Sequence, residues 1–158
     1  MEIDRKSLLV RLGGNETLGE AEKTLRAEGL TLGLSSDSGD AAIWTDCTVS
    51  QWIDRGGPCA RDQFQDPASQ TVAGFDATLA DGRALSVRPS PRRAVGPDLL
   101  PLFWGQDGRF GSVQAAWLLA QRLDARVPTT APCVFDRDPK VSAEEAELLG
   151  LIAIALSK

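Results

Sequence analysis

The chain has 158 residues, 42% of them hydrophobic and 25% charged, which suits one globular domain with a proper core and leaves no room for two ordinary ones. With 22 acidic against 17 basic residues it is mildly acidic, which argues against a nucleic-acid partner, since neutralising phosphates needs a basic surface. It contains no His and no Tyr, so a Ser-His-Asp or Cys-His site within the chain is excluded, and the commonest metal ligand is missing.

Met1-Glu2-Ile3-Asp4-Arg5-Lys6 is charged and carries no apolar h-region, so the reading is of a cytoplasmic protein without a secretory signal. Ser7 to Leu12 is a short apolar run stopped by Gly13-Gly14-Asn15, the pattern of a strand and turn. Thr17 stands three residues before Glu20 as a capping box, and Gly29 lies where a helix C-terminal glycine belongs. The spacing therefore predicts a helix over 18–28 with Leu18, Ala21 and Leu25 on one face, followed by a strand from Leu30 to Leu34. Ser35 to Asp40 is a polar loop. Ile43 to Ile53 is mixed, with Thr48, Val49, Ser50 and Gln51 at its centre, and Asp54-Arg55-Gly56-Gly57 turns out of it.

Thr71 to Leu79, Asp81-Gly82 and Arg83 to Val87 form two β-compatible runs around an Asp-Gly turn, a hairpin signal. Arg88, Arg92 and Arg93 form the notable basic run, read as a solvated loop in preference to a phosphate site. Gly96-Pro97-Asp98 opens a predicted helix near 97–103, because proline suits a first turn and aspartate favours the positive helix end. Gly105, Gly108 and Gly111 follow at three-residue spacing, with Asp107 among them, and require sharp turning or close approach to either a ligand or a neighbouring strand. Val113 to Leu123 is ambiguous on pattern, since it contains good helix formers throughout. Pro128 and Pro132 mark a connector, and Ser142 with Glu145 opens a predicted amphipathic helix over 143–156, too short to span a bilayer. Cys47, Cys59 and Cys133 are odd in number and widely spaced, which fits neither a disulfide framework nor a zinc site.

Gly96-Pro97-Asp98-Leu99 followed by Gly105-Gln106-Asp107-Gly108-Arg109-Phe110-Gly111-Ser112-Val113-Gln114 resembles the FAD-linked oxidases of the vanillyl-alcohol-oxidase and p-cresol-methylhydroxylase type. In that family a Gly-Pro-Asp-Leu or Gly-Tyr-Asp-Leu helix leads into Gly-Ser-Glu-Gly-Thr-Leu-Gly-Val-Ile-Thr. The Gly-Pro-Asp form, with Pro91-Arg92-Arg93 before it, looks closest to the branch containing alkyl-dihydroxyacetone-phosphate synthase and glycolate oxidase. The resemblance runs from about Ile3 to about Leu123 and corresponds to the second subdomain of the family's FAD module alone. It implies an α+β fold with a mostly antiparallel sheet flanked by helices, and makes the ambiguous run after Val113 a strand. It also divides the chain into an FAD-linked-oxidase-like subdomain, 1–125, and a connector with a C-terminal helix, 126–158.

What the resemblance implies for function is mixed. FAD would lie against Thr48, Val49, Ser50 and Gln51, against Gly56 and Gly57, and against Gly105, Asp107, Gly108, Gly111 and Val113. Yet the family's Thr-Val-Gly-Gly, whose paired glycines let backbone approach the cofactor's diphosphate, reads Thr48-Val49-Ser50-Gln51 here, and an aromatic-Gly landmark reads Phe64-Gln65. The family's first FAD subdomain and its substrate-binding cap have no counterpart in these residues, so no catalytic residue carries over and turnover by this chain alone is not expected. Three readings stay open: a flavin-binding subunit completed by a second copy or a partner, a cofactor-free relic serving as a binding or scaffolding module, and a domain whose likeness is superficial. A face lined by Trp52, Phe103, Trp104 and Phe110 would be open or covered, and a homodimer or a partner subunit is expected in preference to a monomer capped by its own C-terminal helix from Ser142 to Ser157.

Overall fold

The computed structural model describes residues 1–33, 45–56, 71–89, 98–123 and 151–152. The sheet begins with β1, Glu2–Asp4, and β2, Leu9–Gly13, which pair antiparallel with Ile3 opposite Val10. Helix α1, Leu18–Ala27, follows a tight turn and buries Leu18, Ala21 and Leu25, the face expected from the 3.6-residue spacing. Thr17 caps it by accepting a hydrogen bond from the Glu20 amide at 3.5 Å. Only this half of the expected box forms, because the Glu20 side chain reaches forward to Lys23 instead. Gly29 ends the helix in the left-handed region, φ +72°.

Two strands follow from local turn chemistry. β4, Val72–Leu79, and β5, Ala84–Val87, pair with Phe75 opposite Val87 and Thr78 opposite Ala84. Asp81 holds the turn by accepting from the Arg83 amide at 3.0 Å, and Gly82 takes φ +86°. The ambiguous run is a strand: β6, Gly111–Leu119, lies between β2 and β4 and is the middle of the five-stranded order β1-β2-β6-β4-β5, every pair antiparallel. Its helix formers are overruled because both of its edges find partners and one face is buried. A smaller sheet joins β3, Leu30–Thr31, to β7, Gln121–Arg122. The α+β fold with a mostly antiparallel sheet is therefore as expected.

Val10, Leu12, Phe75, Ala77, Val113, Ala116 and Leu118 face the helices and join Leu18, Leu25, Val49, Trp52, Ile53 and Phe103 in one core. Fully burying each large apolar side chain contributes about 1.5–3 kcal/mol. The opposite face of the sheet carries Arg11, which donates to Asp76 at 2.9 Å, while the Ser86 hydroxyl donates to the same carboxylate at 2.6 Å. The Ser86 bond first, and Arg11 after it, hold Asp76 below the ordinary aspartate value. A depressed carboxylate stabilises the fold above its unfolded pKa, and that contribution is lost as pH falls through the folded value. Asp76→Asn should accordingly cost about 0.5–1 kcal/mol near pH 7, the scale of a half-exposed ion pair, and next to nothing near pH 2. Thermal unfolding at the two pH values reads it out, and an equal loss at both would show that the charge is not what matters.

Two expectations change. The helix predicted near 97–103 is a three-residue 3-10 turn, Leu100–Leu102, because Pro101 within it has no N–H to donate and Gly105 stops any continuation. Its first amide, Leu100 N–H, is taken by the Asp98 carboxylate at 3.1 Å. The rings expected to line a face left open or covered by another element are interior to the domain. Trp52 packs edge-on against Trp104 with centroids 5.1 Å apart, Phe103 packs against Phe75, and Trp52, Phe103 and Phe110 are buried, with Trp104 half-buried. Gly57, Phe64, Pro97, Arg92, Arg93, Cys59 and Cys133, the Ser142–Glu145 capping box and nearly all of the helix over 143–156 lie outside the described residues. Among the described residues no helix is long and apolar enough to cross a membrane, and no group of three or more Cys, Asp or Glu is placed to hold a metal.

Candidate functional site

The segments singled out from the sequence meet where helix α2, Val49–Asp54, packs against the glycine turn that runs from Trp104 into β6. The Ile53 carbonyl accepts from Gly105 N–H at 2.9 Å and the Asp54 carbonyl from Asp107 N–H at 3.0 Å. Gly56, at φ +64°, lies so close that a Cβ on it would come within 3.2 Å of the Gly105 Cα. Here close approach means backbone against backbone.

The three turn glycines have different reasons. Gly105 faces Gly56 at φ +71°. Gly108 is exposed, and an added Cβ would meet only the Gly111 carbonyl at 3.7 Å, so φ +72° is its whole requirement. Gly111 is buried where β6 crosses β4, with no room for a side chain beside Thr78 and Leu79. Asp107 takes φ +48°, a conformation Asp tolerates better than most residues. Val49 and Val113 are core residues.

At the start of α2 the four backbone N–H groups that a helix leaves without an intrahelical partner are all committed. Thr48 N–H donates to Gln51 Oε1 at 3.1 Å and Gln51 N–H to Thr48 Oγ1 at 3.2 Å, a complete capping box. Val49 N–H donates to the Glu16 carbonyl and Ser50 N–H to the Gly14 carbonyl, both at 2.9 Å. The β2–α1 turn that receives them is itself held to β6, where a bulge at Gln114 points its carbonyl at Gly14 N–H, 2.6 Å away. The cap was visible in the sequence as Thr-x-x-Gln, and reading those positions against the family's glycines concealed it.

Sequence reasoning gave Asp54 no role beyond a turn and treated Trp52 only as part of an apolar face. Asp54 Oδ1 and Trp52 Nε1 are buried and find no hydrogen-bond partner among the described residues. The Asp54 carboxyl titrates above the ordinary aspartate value, chiefly because burial disfavours its charge. The Ser50 hydroxyl, 3.5 Å from Oδ2, lowers it partly, and the Asp107 charge raises it again. The junction of α2 and the turn thus presents two carboxylates and few free donors.

No family model matches the chain, and no curated protein matches its sequence. Among solved structures it is similar to alkyldihydroxyacetonephosphate synthase, a member of the FAD-linked oxidase family, in two crystal forms. The TM-scores are 0.58 and 0.57, with 19% and 20% of aligned residues identical. Each match covers 77% of this chain and 21% of the other, so the chain spans about a fifth of the length of the structures it matches. At such identity the likeness concerns the fold: a five-stranded antiparallel sheet with few helices, matching part of an FAD-linked oxidase.

Proposed function

We propose that this chain is a non-catalytic module built on part of the FAD-linked-oxidase fold, which binds or supports another polypeptide and holds no FAD by itself. The observation that carries the reading is the commitment of all four first-turn amides of α2. A diphosphate is held at a helix start by N–H groups pointing at it, and here those groups point at Thr48, Gln51, Glu16 and Gly14. Asp54, at the other end of this short helix, and Asp107 beyond it add negative charge to the same junction. The residues present therefore do not fit the diphosphate of FAD. The other polypeptide in this reading is a second copy of the chain or a different subunit.

A second reading, a flavin-binding subunit completed by such a partner, draws support from one feature. Gly105, Asp107 and Gly108 are exposed, so the outer side of the turn could lie along a cofactor held mainly by another chain. Titration of the purified protein with FAD, followed by flavin and tryptophan fluorescence, separates the readings. The expected result is no saturable change up to about 0.1 mM FAD, the affinity range below which a resident cofactor would fall. Saturable binding that disappears in Gly108→Val would overturn the cofactor-free reading. Val at that position strains the backbone and fills the exposed side of the turn.

A further inference from the structure

We propose that the contact between the end of α2 and the glycine turn is a proton-operated latch, closed when Asp54 carries a proton and loosened when Asp54 and Asp107 are both ionised. The latch is the pair of backbone hydrogen bonds from Gly105 to Ile53 and from Asp107 to Asp54. Closing it carries the Asp107 carboxylate to the end of α2, beside a carboxyl whose Oδ1 is sealed from water and finds no donor among the described residues. An ionised Asp54 is then a half-buried charge held by the Ser50 hydroxyl alone, at 3.5 Å from Oδ2, and facing a like charge, and protonation removes both the desolvated charge and the repulsion.

Among the described residues no basic side chain forms an ion pair with either carboxyl. Arg55, on α2 itself, is placed to donate to Cys47 Sγ at 3.6 Å. Glu16, from the β2–α1 turn packed on α2, is paired with the amino group of Met1 at 3.1 Å. Arg109, from the turn, is exposed, and β6, which also packs on α2, brings no ionisable side chain. Among the described residues Asp107 is the charged group that acts on Asp54.

Because the Asp54 value is raised in the folded chain, the stabilisation its proton supplies is full below the ordinary aspartate value of 3.8 and is lost as pH rises through the raised one. Amide hydrogen exchange of Gly105 and Asp107, expressed as protection factors between about pH 4 and about pH 7, tests this, with a core amide such as Leu118 as the reference for global opening. Protection at Gly105 and Asp107 should fall several-fold across that range while Leu118 stays level, and Asp54→Asn should abolish the slope. Asp54→Ser serves the same purpose with a smaller side chain. A level wild-type profile, a slope shared by Leu118, or a slope that persists in Asp54→Asn and Asp54→Ser would each overturn the proposal. The test is independent of whether FAD binds.

Discussion

Replacing Gly111 by alanine should cost about 4 kcal/mol or more, enough to unfold much of the population of an ordinary domain. The Cβ would collide with the Thr78 carbonyl oxygen and sit 2.8 Å from the Leu79 Cα, both backbone atoms of β4. Neither can yield without separating β4 from β6, the most extensive pairing in the sheet. The φ of +144° adds strain for any L side chain. Gly108, three residues earlier in the same turn, provides the control: Gly108→Ala meets no obstacle and should cost about 1 kcal/mol for its left-handed backbone. Urea unfolding followed by circular dichroism measures both. If Gly111→Ala remains folded with a loss comparable to that of Gly108→Ala, the packing at the β4–β6 crossing is not as tight as described.

The second large loss should come from Glu22→Ala, at about 3 kcal/mol. Glu22 is 6% exposed and accepts from Arg26 Nε at 2.8 Å, Thr31 Oγ1 at 2.5 Å and Leu32 N–H at 2.8 Å. One carboxylate thereby fastens α1 to the strand that follows it. Truncation leaves the Leu32 amide and the Thr31 hydroxyl proton buried without an acceptor, and each such group costs about 1–3 kcal/mol. Glu22→Gln keeps one acceptor oxygen but turns an NH2 group toward a donor, so it should fall between wild type and Glu22→Ala. Unfolding free energies of the three proteins decide the matter. A Glu22→Ala protein within 0.5 kcal/mol of wild type, the scatter of ordinary surface substitutions, would remove the buried carboxylate from the account.

How legible these features were depends on how local their causes are. The hairpin around Asp81-Gly82 and the helix between Thr17 and Gly29 were readable because turn and cap chemistry is contained in a few adjacent residues. The identity of β6 was not, since what makes Gly111–Leu119 a strand is the presence of β2 and β4 on either side, and only the family resemblance pointed to it. β1 is three residues long with Ile3 as its one apolar side chain, too little for a periodic signal. At the candidate site the spacing of Gly105, Gly108 and Gly111 was plain, but the spacing could not distinguish a neighbouring strand, a neighbouring glycine and a simple turn. The role of Glu22 rests on Thr31 and Leu32 arriving from the next element, and the burial of Asp54 rests on a turn some fifty residues onward, roughly a third of the chain.

The Gly14 N–H donates to the Gln114 carbonyl and the Gly14 carbonyl accepts from Ser50 N–H, so this one residue is a junction of three segments distant in sequence. During synthesis the capping box of Thr48 and Gln51 can form as soon as α2 exists, because both partners lie within one turn. The turn on which that helix rests is a different matter, for its orientation is fixed by a carbonyl near residue 114, made long afterwards. The final seating of this half of the domain is therefore coupled to completion of the other, because its turn is held by the central strand.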